Sequence, residues 1–200
     1  MKRILMPTKQ KVSKRATMRA ARRRQDLRAK IFIGILVLAA LAVVASLIRG
    51  GVSAQPIEGV APYSGLERNH VDGQLTYEQN PPVGGSHNPV WQNCGVYTEP
   101  IVTENGVHTL EHGAVWITYQ PGLPASDVQA LQALTRRSGF RLLSPYPDLP
   151  SPIVISAWGY QLQLQQADDP RLKAFIEKYE LNPQGPEPGA PCTGGLGQPE

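Results

Sequence analysis

The sequence predicts an α+β domain, a small mixed or antiparallel sheet with two helices, preceded by a single transmembrane helix. Three observations carry that reading. Ile31–Ile48 runs eighteen residues without a charge, directly behind a dense run of Lys and Arg. Short β-prone runs recur after Cys94. Two later stretches combine an apolar stripe at helical spacing with start and stop residues.

Residues 1–30 form a basic cytoplasmic arm with twelve Lys/Arg against Asp26 alone. At 1.5 Å per residue the apolar span 31–48 reaches about 27 Å, near the thickness of a bilayer core. The positive-inside rule keeps the arm in the cytoplasm and places the C-terminal domain outside, in a single-pass signal-anchor topology at the cell membrane. Small residues at Val52-Ser53-Ala54 leave open a removed signal peptide; either way the domain is exported. Residues 49–62 are a Gly/Pro/Ser-containing linker, 63–192 the exported domain, and 193–200 a disordered tail. From Gly50 onward the chain holds seven Lys/Arg against fifteen Asp/Glu, so the exported part is acidic. That argues against nucleic acid as its partner, because phosphate contacts need a positive surface.

Within the domain, Pro81-Pro82 enforces an extended entry, and Gly84-Gly85 permits a tight turn directly before His87. Val96–Val102 reads as strand, with Pro100 marking an edge. Asn105-Gly106 is a hairpin signal, with Val107–Leu110 as the returning arm and Ala114–Tyr119 as a further strand. Ser126–Ser138 reads as a helix capped by a Ser126/Gln129 box and ended by Gly139. Phe140–Leu143, Ile153–Ser156 and the alternating Tyr160, Leu162, Leu164 read as strands. Asp169 caps a second helix, with Pro170 at its first position.

The chemistry is concentrated between Pro81 and Pro121, which holds three of the four histidines, Cys94, Trp91 and Trp116. Cys94 and Cys192 are the only cysteines. Both fall on the exported side, where disulfides persist, and a bond between them is expected to pin the tail. His108 and His112, four apart, share a face in helix or strand alike. Glu111 joins that face on a helix and points away on a strand. His87 closes the set from its glycine turn. Such imidazoles suit Zn²⁺ or Cu(II), with Glu111 as a less favoured ligand and His70 expected outside the cluster. A purely structural hydrogen-bond network remains the rival. The spacing H-x-x-x-H lacks the internal general base of H-E-x-x-H.

At these residues the chain resembles a known family. The run PPVGGSH, then Trp91, then GVY, followed by VHTLEHGAVWITYQP, is similar to the bacterial family catalogued as domain of unknown function 3105. Val83-Gly84 and Ser86 depart mildly from that family's pattern around the Gly-His. The resemblance implies a basic N-terminus, one membrane span and an exported domain over about residues 60–192. It carries no activity. Three readings of function therefore stand: a membrane-anchored domain binding a divalent transition metal, a non-catalytic module for an unidentified envelope protein partner, and a metal-assisted hydrolase using Glu111. No catalytic set is otherwise read.

Overall fold

The computed structural model describes residues 19, 23, 30–39, 56–183 and 185–200. The chain divides into two compact units, Met1–Ala54 and Gln55–Glu200. In the first, residues 30–39 are helical and exposed. The expected membrane span 31–48 lies among the described residues only as far as 39. Most of the basic arm and residues 40–55 fall outside them. Among the described residues, no helix is long and apolar enough to cross a membrane.

In the second unit, six strands form one sheet: β1 (Ala61–Pro62), β2 (Gly95–Val96), β3 (Val115–Tyr119), β4 (Arg141–Pro145), β5 (Ile153–Ala157) and β6 (Tyr160–Leu164). Their order is β1-β6-β5-β3-β4-β2. β4 runs parallel to both β3 and β2, whereas the β3/β5, β5/β6 and β6/β1 pairs are antiparallel. The sheet is therefore mixed. Three helices accompany it: α1 (Thr103–Glu111), α2 (Ala125–Thr135) and α3 (Pro170–Tyr179).

Side-chain alternation along the strands builds two cores. Val115, Ile117, Leu143 and Ile155 face one way, with Leu131 of α2 and Phe175 of α3. Trp116 and Leu142 face the other, with Val107 and Leu110 of α1 and with Trp158. Every residue of β3 is buried, as expected of a strand covered on both faces. α1 and the irregular chain before it thus occupy one side of the sheet, and α2 and α3 the other.

The main correction to the sequence reading is α1. The Asn105-Gly106 pair lies inside a helix rather than at a hairpin tip, and the strand read over Val96–Val102 shrinks to Gly95–Val96. Gly106 is where the helix crosses Trp116: a Cβ there would stand 2.8 Å from the indole. Asn105 donates its side-chain amide to the Val90 carbonyl. α2 also begins one residue early, at Ala125. Pro124 takes the cap position and its carbonyl accepts from the Asp127 and Val128 amides, so no Ser126/Gln129 box forms. α3 is as expected, with Asp169 accepting from the Arg171 amide and Pro170 at the first position.

Residues 193–200, expected to be disordered, are instead tied down. Leu196 bridges Gln92, and the Glu200 amide donates to the Val96 carbonyl. Glycine makes this approach possible, since a Cβ on Gly195 would stand 2.3 Å from the Trp91 carbonyl oxygen. Cys94 and Cys192 lie at disulfide distance with Cα atoms 5.3 Å apart, and there is no free cysteine.

Candidate metal centre

Because α1 is a helix, positions 108, 111 and 112 fall on one face. All three side chains are buried there. Polar residues hold this helix in the interior because each has a partner. Glu104 accepts from the Leu75 amide, and the Thr109 hydroxyl donates toward the Gln92 and Asn105 carbonyls. His87 enters from the irregular chain before α1, directly behind Gly84 and Gly85. Both glycines have positive φ, 145° and 111°, as the turn requires. His70 arrives by a parallel bridge to His87. The Val71 amide donates to the His87 carbonyl at 2.7 Å and the His87 amide to the Asn69 carbonyl at 2.9 Å.

All four histidines of the chain meet at this point. One ligand atom each from His70, His87, His108 and Glu111 lie within 4.8 Å of one another. His112 stands beside this group, its Nε2 3.0 Å from that of His108. Glu111 Oε2 is 2.8 Å from His87 Nε2 and 3.4 Å from His70 Nε2. The sequence-predicted His87, His108, His112 and Glu111 are thus brought together. His70, expected outside, is brought in with them. Nothing local in its polar stretch signals this; only the bridge between distant segments places it.

The buried imidazoles share one device. His87 Nδ1 lies 2.7 Å from the Gly85 carbonyl, His108 Nδ1 2.6 Å from Asn88 O, and His112 Nδ1 2.7 Å from Pro191 O. A carbonyl oxygen only accepts, so each Nδ1 carries the proton and donates. In the neutral ring each Nε2 is then a lone pair aimed inward. Two contacts become acceptor against acceptor: His87 with the Glu111 carboxylate, and His108 with His112. Each is a gap that a positive particle, a proton or a metal ion, would fill.

Burial pushes His108 down to about 4, helped by its histidine neighbours and opposed by the Asn88 carbonyl. Burial raises the Glu111 carboxyl, but the His87 hydrogen bond and the surrounding rings outweigh it and leave the group below its ordinary range. A carboxylate at Glu111 and a neutral ring at His108 are the protonation states a divalent ion requires there.

The disulfide region borders the centre directly. Pro191, whose carbonyl orients His112, precedes Cys192 in sequence, and the amides of Glu187 and Gly189 donate to the carbonyls of Glu111 and His112. Trp91 packs on the rings of His108 and His112, with centroids 5.8 and 5.1 Å away. Ser86, next to His87, gives its hydroxyl to Glu67 instead.

No curated protein and no solved structure is similar to this chain. The family described as protein of unknown function (DUF3105) matches residues 70–194. That stretch holds every histidine of the cluster, Glu111 and both cysteines. The chain belongs to this family.

Proposed function

We propose that the domain binds one divalent transition metal ion, with His87, His108 and Glu111 as buried ligands, His112 beside them and His70 on the outside. The observation that carries this reading is the common orientation of the buried imidazoles. Each donates Nδ1–H to a backbone carbonyl and turns Nε2 toward its neighbours, and such a bond fixes the ring and its tautomer in metal-ligating histidine. Two ligands about 2.1 Å from one ion stand at most about 4.2 Å apart. The present spread of 4.8 Å asks for a movement of roughly half an ångström. Imidazoles with a carboxylate suit Zn²⁺ or Cu(II). Both cysteines are bonded and no methionine follows Met18, so soft donors for Cu(I) are missing from the domain.

The apolar span 31–48 and the basic arm support a cell-membrane location for this centre, with the domain on the extracytoplasmic side. A hydrolase would need Glu111 free beside a metal-bound water, but its Oε2 already faces two imidazoles. The test is elemental analysis and calorimetric titration of the full chain in detergent, without a histidine tag. One equivalent of Zn²⁺ or Cu²⁺ should bind near neutral pH, and His87→Ala or His108→Ala should abolish binding. Absence of binding by the wild type would return the histidines to a structural hydrogen-bond network.

A further inference from the structure

We propose that His70 is the labile outer ligand of this centre, the position through which ions exchange and at which small Lewis bases bind. The proposal rests on the metal-binding reading and deepens it. Three asymmetries separate His70 from the other imidazoles. Its side chain is 46% exposed, whereas that of His87 is 0% exposed. Its Nε2 stands 3.4 Å from Glu111, against 2.8 Å for His87. Its Nδ1 has no hydrogen-bond partner among the described residues, whereas His87, His108 and His112 are each tied to a carbonyl. An outer-shell acceptor fixes a ligating ring and raises its basicity, so the one ring without it is the weakest and most easily displaced ligand.

The backbone beneath His70 is nevertheless held on both sides by its bridge to His87. Displacement is therefore a rotation of the side chain about its own bonds, with no movement of the loop. His70 lies face-on over His108, with planes 13° apart and centroids 4.8 Å apart. Turning it outward uncovers the buried ligands directly to solvent. The space it leaves suits a water molecule or a small neutral or anionic base such as imidazole or azide.

The test compares wild type with His70→Ala, using the full chain loaded with Cu²⁺ or Zn²⁺. The variant should keep one-to-one binding with affinity weakened by no more than about tenfold, while extraction of Zn²⁺ by a chelator becomes at least about tenfold faster. The visible spectrum of its Cu²⁺ form should shift on adding imidazole or azide, at concentrations that leave the wild type little changed. Loss of stoichiometric binding in His70→Ala would make His70 an integral ligand and overturn the proposal. So would unchanged extraction kinetics and an unresponsive spectrum. A wild type that binds no metal refutes the underlying reading instead, and His87→Ala, which should lose the ion altogether, separates the outer position from the inner ones.

Discussion

Loading the domain with Zn²⁺ near neutral pH should release about one proton per ion, and the number follows from one contact. His87 gives its Nδ1 proton to Gly85, yet its Nε2 lies 2.8 Å from the Glu111 carboxylate, so the metal-free pair needs a second proton between them. His108 and His112 also face each other through Nε2, at 3.0 Å, but burial holds His108 down to about 4, so its ring adds no proton to the count near neutral pH. An ion bound by His87 and Glu111 displaces the one between them. By linkage, log affinity should rise by about one for each pH unit wherever the metal-free protein holds that proton. Acid weakens binding and base strengthens it. Calorimetry in two buffers of different ionisation enthalpy reads the proton count directly. Glu111→Gln sharpens the experiment, because an amide NH₂ can donate to the His87 lone pair and remove the need for that proton. The variant should release close to none. Stoichiometric binding by the wild type with no proton release would refute the tautomer argument on which the whole centre depends.

Two further outcomes are expected. In the chelator-treated protein, burial holds His108 down to about 4, while the unfolded value is near 6.5. The unfolded chain therefore binds the proton first. Stability should be intact above about pH 6.5 and fall progressively toward pH 4, by at most about 3 kcal/mol from this group. Urea unfolding at pH 7.5 and 4.5 measures it, and a flat profile contradicts the burial. Cys192→Ser opens a loop with a sequence separation of 98. That should cost about 4–5 kcal/mol in the chain-entropy model, read from non-reducing urea melts. It should also free the tail to protease and, by loosening the Pro191 carbonyl from His112, weaken metal binding about tenfold. Unchanged affinity with a destabilised fold would uncouple the staple from the site.

What could be read from the residues alone divides along a physical line. Helix α3 was legible because its signals are local: Asp169, Pro170 and the stripe Leu172, Phe175, Ile176, Tyr179 all lie within eleven positions. The strands from β3 to β6 were legible to within two residues, β3 and β5 from β-branched and aromatic runs and β6 from its alternation of apolar residues with glutamine. α1 was not, and its failure explains the site. An amphipathic helix announces itself by segregating apolar from polar residues, but α1 is buried from Glu104 to Glu111 on nearly all sides. Its polar side chains are matched one by one to carbonyls and amides of distant segments, a kind of satisfaction that leaves no period in the sequence. Asn105-Gly106 then looks like a turn, although the asparagine serves Val90 and the glycine admits Trp116. The histidine spacing held either way, since four residues share a face in helix and strand. Glu111 depended entirely on which of the two was right. Resolving that segment as helix moves the carboxylate from the far side of a strand into contact with His87. His70 was hidden for a separate reason: it reaches the centre only because His87 offers its backbone to a parallel partner seventeen residues away. A site assembled from a buried polar helix and a cross-segment bridge is one whose ligands can be listed from sequence, but whose membership is decided by tertiary hydrogen bonds.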